Sequence, residues 1–223
     1  MPQGTSRTDA GVHANAHGVL VWMQKQWDTY RLLAALNAHL PVDIRVKAAL
    51  ESPAGFFPRR HAVAKRYVYR LDEGPSANPF LEMRRWHLFG ARPLNRDGIL
   101  KAARYLTGTH DFSSFRCKDC SAETPVRTIF DARIESRGSE LEVIFEGDRF
   151  LMHQVRIMVG TLVEVGRGKR PSTCISEILN SKNRSMAAST APPEGLYLEK
   201  IWYSPEWGIG DPCPWSTCTN TYR

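Results

Sequence analysis

Two strand-like segments, joined by a tight turn and followed by a long apolar run, limit this fold most. Val126 to Ser136 and Glu140 to Glu146 read as strands, separated by the turn-forming triplet Arg137-Gly138-Ser139. Phe150 to Val165 then reads as a strongly apolar helix with one basic edge. On that helix Met152, Val155 and Val159 face one side, and His153 and Arg156 sit three apart on another. A hairpin feeding a helix gives a mixed, partly antiparallel order, so the chain is expected to be α+β rather than a doubly wound parallel sheet.

The remaining segments fit that class. His17 to Trp22 and Asp43 to Leu50 read as strands on either side of a helix over Trp27 to Leu40, which Pro41 ends. Arg66 to Leu71 alternates Tyr67, Tyr69 and Leu71 with Arg66, Val68 and Arg70, the period of a strand. Asn95 to Leu106 is an amphipathic helix with Asn95 as its cap. Gly108 to Phe115 reads as a loop, Ser172 to Ser181 as a helix and Leu196 to Tyr203 as a closing strand. Trp207 to Arg223 is rich in Gly, Pro, Cys and Thr and reads as a loose tail.

Composition narrows the setting. With 223 residues, 42% of them hydrophobic, the chain can build a substantial core. Its net charge of +7 suits a polyanionic partner. No apolar run approaches the roughly 18 residues of a membrane span. The opening residues lack the apolar core of a secretory signal, so a cytoplasmic protein is expected. Five Cys is an odd number for a disulfide framework. Cys117 and Cys120 form C-K-D-C with no second pair at zinc spacing, so no metal is expected. The pair reads as a surface loop that happens to hold two Cys rather than as a redox or zinc site.

Four segments hold residues able to carry chemistry. In S-R-T-D-A-G-V-H-A, Ser6 to Ala14, Asp9 and Gly11 are ordinary turn residues. A turn alone does not explain Arg7. In Arg59 to Arg70, five basic residues interleave with a His and two Tyr. That offers phosphate contacts and a stacking platform, or else an edge strand defended by charge. The third segment holds His153 and Arg156, which could equally be the polar stripe of a core helix. In the fourth, small residues follow Arg184 and would let a backbone pass close by.

Taken together, these segments resemble the TruA-type tRNA pseudouridine synthases, from Ser6 to about Tyr203. The motifs are S-R-T-D-A-G-V-H-A, A-L-N-A-H-L-P-V-D-I-R-V, K-R-Y-V-Y-R, L-T-G-T-H-D-F-S-S-F-R, F-L-M-H-Q-V-R-I-M-V-G and A-A-S-T-A-P-P-E-G-L-Y-L, in family order. The resemblance implies two RRM-like (ferredoxin-like) halves, with antiparallel or mixed sheets facing a basic central cleft. It places residues 1–75 in an N-terminal half that carries the catalytic Asp, 76–205 in a C-terminal half and 206–223 in a tail. It implies a homodimer acting on tRNA uridines 38, 39 and 40 in the anticodon stem-loop, with neither metal nor organic cofactor.

The resemblance also assigns roles. Asp9 is the nucleophile at C1′ or the base that removes the C2′ proton. Arg184 forms a salt bridge to Asp9. Tyr67 stacks on the flipped base and shuttles its C5 proton, and Arg7 fills the vacated space or holds the backbone. Arg59, Arg60, Lys65, Arg66 and Arg116 are expected to meet RNA phosphates, and His153 and Arg156 to contact substrate. Two departures stand out: Ser6 replaces the usual Gly, and Phe57-Pro58 replaces a common His-Ala. Only five residues precede Ser6, where the family has a further strand and helix. The N-terminal half is therefore expected to be incomplete, with apolar surface on an unpaired edge. The competing reading is a truncated tRNA-binding module without catalysis.

Overall fold

The structure, a computed structural model, describes residues 2–89 and 92–215. The elements are β1 (Gln3–Gly4), β2 (His13–Ala14), β3 (Val19–Leu20), α1 (Thr29–His39), α2 (Pro58–His61), β4 (Ala62–Asp72) and β5 (Trp86–His87). They continue with α3 (Arg96–Arg104), β6 (Gly108–Asp111), β7 (Val126–Arg137), β8 (Glu140–Gly147), α4 (Gln154–Gly166), α5 (Cys174–Ser181) and β9 (Leu196–Tyr203). The architecture is mixed α+β. Six strands run in the order β2-β9-β4-β8-β7-β6, and β5 adds to the end of β4 as the seventh. β1 and β3 form a separate antiparallel pair.

β4 is the centre of the sheet. It runs antiparallel to β8 on one edge, from Lys65–Gly147 to Asp72–Glu140. It runs antiparallel to β9 on the other, from Ala62–Tyr203 to Tyr69–Leu196. The division expected near residue 75 therefore falls between strands of one sheet. Period-two alternation sends Tyr67, Tyr69 and Leu71 into the main core with Phe145, Val159 and Leu162, beneath α4. Arg66 and Arg70 face the other side, where they pair with Glu146 and Glu142.

α4 is almost wholly buried, with α3 packed on it and on β7. Gly160 is where another backbone crosses α4: a Cβ there would lie 2.1 Å from the Ser189 carbonyl oxygen. The small residues 187–191 do let a chain pass close by, and they lie against this helix. Ala191 N–H donates to the Arg156 carbonyl, and Ala188 N–H to Thr161 Oγ1.

Several local expectations are corrected. The helix expected from Phe150 starts at Gln154. Gln154 Oε1 caps Leu151 N–H at 2.8 Å, and His153 sits in the left-handed region at φ 61°. Asp43 to Leu50 forms no strand, because Val46 bonds both backbone groups to the side-chain amide of Asn37. Gly108–Asp111, read as loop, pairs with β7. The tail is docked rather than loose as far as residue 215. Trp207 stacks on His61 at 4.3 Å, and Trp215 stacks on Phe130 and donates to Glu146 Oε2 at 3.0 Å. Residues 216–223 lie outside the described residues.

The region before α2 is thinly covered. α1 has no buried residue, and Trp22, Tyr30, Val42 and Leu50 are exposed. Asn95 Oδ1 accepts from Gly98 N–H at the start of α3, the cap expected from sequence. No helix among the described residues is long and apolar enough to cross a membrane.

Candidate active site

The segment around Asp9 hangs from β9 at both ends. Thr5 is fully buried, and its hydroxyl lies 2.8 Å from Tyr203 Oη and donates to the Gly18 carbonyl. At the other end β2 pairs in parallel with β9, and the His13 ring stacks on Tyr197 at 4.5 Å. Between these anchors the chain turns, with Val12 N–H donating to the Asp9 carbonyl and Gly11 at φ 81°. Such a turn needs a residue tolerant of positive φ at its third position, and Gly supplies it. Asp9 is thus a turn residue whose side chain remains available.

That side chain meets the N-terminal end of α4. Arg156 Nη1 donates to Asp9 Oδ2 at 2.8 Å, and His153 Nε2 lies 3.2 Å from the same oxygen. Arg156 is held in turn by its Nε–H, which donates to the Ala191 carbonyl at 2.8 Å. Among the described residues both of these contacts to the Asp9 carboxylate use Oδ2 rather than Oδ1. The Asp9 side chain is 29% exposed and that of Arg156 13%, so the pair lies at a rim rather than in the deep interior. The left-handed His153 turns its ring toward Asp9; such a backbone is uncommon for a non-glycine residue.

This corrects the pairing expected for Arg184. Arg184 lies in a short 3-10 turn, where its guanidinium is directed to the Ala187 carbonyl and Thr190 Oγ1 at 3.3 and 3.4 Å. Among the described residues it forms no ion pair with Asp9. Arg156 takes that place because the backbone of 187–191 fixes its Nε.

Tyr67 is 8% exposed and lies edge-on to Phe150 at 5.0 Å. Burial pushes its hydroxyl pKa up; a Ser6 contact opposes this and the Asp9 charge adds to it. Lys65 shares that face, and its ammonium turns inward to Ser6 Oγ at 3.3 Å. Lys65 is therefore buried, not the outward phosphate contact expected. Arg66 is corrected too: it points to the opposite face, bonds Glu146 at 2.7 Å and lies over the Trp202 ring. Arg7, Arg59 and Arg60 are exposed. Arg116 donates to the Cys120 carbonyl at 3.3 Å. Cys117 and Cys120 are free thiols, and the described residues hold no cluster of three metal-ligating side chains. Sequence reasoning missed Thr5, Ser6 and Tyr203 as site supports. The unusual Ser6 was the one signal available.

A family model described as tRNA pseudouridine synthase matches residues 102–204. The chain is 40% identical over 198 residues to tRNA pseudouridine synthase A of Myxococcus xanthus, covering 88% of this chain and 74% of that protein. The corresponding protein of Geobacter sulfurreducens is 41% identical over 205 residues, covering 89% and 81%. The chain belongs to the tRNA pseudouridine synthase family. A further relative, tRNA pseudouridine synthase A 1 of Protochlamydia amoebophila, is 39% identical over 211 residues and covers 93% of this chain. The family match spans α4 and β9, which hold Asp9 in place, and the longer alignments reach most of the chain.

Proposed function

We propose that this chain isomerises uridine to pseudouridine in the anticodon stem-loop of tRNA, at positions 38–40. The observation that carries this reading is the Asp9 carboxylate anchored through Oδ2 by Arg156 and His153. The reaction breaks the C1′–N1 bond, turns the base and joins C5 to C1′, with loss of the C5 proton and gain of a proton at N1. In this reading Oδ1 attacks C1′ or removes the C2′ proton. Arg156 supplies positive charge and a charge-assisted hydrogen bond to Oδ2.

The target base must leave its stack, which costs a few kcal/mol. Stacking on an aromatic ring returns about 1–3 kcal/mol per base. Tyr67 beside Phe150 offers such a ring, and its hydroxyl is a group that can exchange the C5 proton. Arg7 takes the space left in the helix, and Arg59, Arg60 and Arg116 meet backbone phosphates. The same reading includes a homodimer and residence in the cytoplasm; the exposed apolar side chains before α2 support association, which light scattering would measure.

Tritium release from tRNA labelled at uridine C5 tests the isomerase reading. Wild type should release label and Asp9→Ala should not. Intact tRNA binding with no release from wild type would instead indicate a binding module.

A further inference from the structure

Among the described residues, Lys65 is a buried cation with no carboxylate in direct ion-pair contact. Its residue is 9% exposed. A buried ammonium lacking such a contact is costly to keep, so its place next to a reacting centre calls for a role. The charged groups facing it come from several elements. Arg59 of α2 and Arg149 of the β8–α4 connection repel it, Asp148 of that connection attracts it, and His17 before β3 lies close enough to feel its charge. Burial and the two arginines bring the ammonium down to about 8.

Lys65 Nζ donates to Ser6 Oγ at 3.3 Å, and Ser6 Oγ lies 3.5 Å from Tyr67 Oη. These are long separations, which a bound base pressing on Tyr67 would have to shorten. Ser6 stands three residues before Asp9, so the three side chains run along the edge of the candidate site. A hydroxyl both donates and accepts, an ammonium only donates, and a neutral amine also accepts. With Lys65 charged, the chain runs from Lys65 through Ser6 to Tyr67, and the phenol proton points off the chain. With Lys65 neutral, the chain can run the other way, and Tyr67 turns a lone pair toward the pocket.

We infer that Ser6 and Lys65 are positioning residues for Tyr67, forming a relay that carries away its proton while Tyr67 takes the C5 proton of the rotated base. This rests on the isomerase reading above. Tyr67 Oη accepts the C5 proton as its own proton passes to Ser6 Oγ. The Ser6 proton passes to the Lys65 amine, which becomes ammonium and later returns it to solvent. The C5–H electron pair restores the C5–C6 double bond, the C6–N1 π pair moves onto N1, and N1 takes up a proton from solvent as Lys65 returns one, so atoms and charge balance without any co-reactant.

The experiment measures tritium release at saturating tRNA across pH values on both sides of 8. In wild type the rate should climb as Lys65 loses its proton and level off above about 8. Lys65→Met should lower the plateau by roughly a hundredfold, the low end of general acid–base effects, and abolish this limb. Lys65→Arg, which cannot deprotonate, should also lose the limb. Ser6→Ala should reproduce the Lys65→Met profile with tRNA affinity unchanged, and the double variant should lose no more than either single one. A merely structural role would lower rates but leave the limb in place. A limb retained in Ser6→Ala and Lys65→Met overturns the relay. If wild type releases no tritium, the isomerase reading fails, and the ¹³C signal of the Tyr67 ring carbon bearing oxygen still decides the coupling. A step near pH 8 that vanishes in Lys65→Met and Ser6→Ala upholds it, and a flat wild-type signal overturns it.

Discussion

Asp9 is aimed by contacts that converge on one of its two oxygens. Arg156 is held at both ends, by the Ala191 carbonyl and by Asp9 Oδ2, so its removal frees the carboxylate to rotate. Misplacing a reacting group by about 1 Å can lower turnover roughly 10²-fold. Arg156→Ala is therefore expected to reduce kcat by about that factor with little change in tRNA affinity, read from single-turnover tritium release. Arg156→Lys keeps the charge but not the fork, and should recover only part of the loss. Arg184→Ala should stay within about twofold of wild type, since its contacts at 3.3 and 3.4 Å are long and none is to Asp9. A large loss at Arg184 with an intact Arg156→Ala enzyme would reverse the assignment. The His153–Arg156 pair was expected from a helical spacing, but His153 precedes α4 in a left-handed turn and shares no helix face with Arg156. The meeting of Arg156 with Asp9, 147 residues away in the chain, was not legible, because no local pattern encodes such a contact.

Among the elements, α4 links the core to the site. Its Gly160 permits the close passage of Ser189, and that passage places Ala191 where it can hold Arg156. Gly160→Ala puts a methyl into backbone rather than into a flexible side chain, so segment and helix must separate. Overpacking of this kind costs about 1–3 kcal/mol. The expected result is a lower denaturant midpoint with an unchanged slope, together with a fall in turnover. A variant of wild-type stability and turnover would mean the crossing is loose. Most strands and helices here were legible because period-two and helical patterns are dictated by burial, as in β4, β7, β8 and β9. The failures have local causes. A strand reading at Asp43 to Leu50 rested on apolar content, but Val46 spends its backbone bonds on Asn37. The start of α4 was misplaced because the left-handed turn at His153 leaves no mark in an apolar run.

At the scale of the whole molecule, surface charge governs substrate capture and a buried charge cluster governs acid stability. A net charge of +7 and exposed Arg59 and Arg60 imply that tRNA affinity falls steeply with salt. Replacing both arginines with Ala should reduce the log–log salt slope by about 1.4–1.8, measured by filter binding. An unchanged slope would remove α2 from the interface. Stability has a different centre. Glu146, at the middle of the sheet, accepts from Arg66 at 2.7 Å, Arg133 at 2.9 Å and Trp215 at 3.0 Å, joining β4, β7, β8 and the docked tail. Burial pushes its carboxyl up, but the hydrogen bonds and charges of Arg133 and Arg66 outweigh this and hold it below its ordinary value. A carboxyl depressed on folding contributes stability above its unfolded pKa and loses it as pH falls through the folded one. The denaturant midpoint should therefore drop on acidification below the ordinary glutamate range. Glu146→Gln should be less stable at neutral pH by about 1–3 kcal/mol, from weakened charged hydrogen bonds. Its acid limb should also be shallower, though not absent, since Asp72 and Asp111 are depressed as well. An acid limb in Glu146→Gln as steep as in wild type would assign the sensitivity to those aspartates instead.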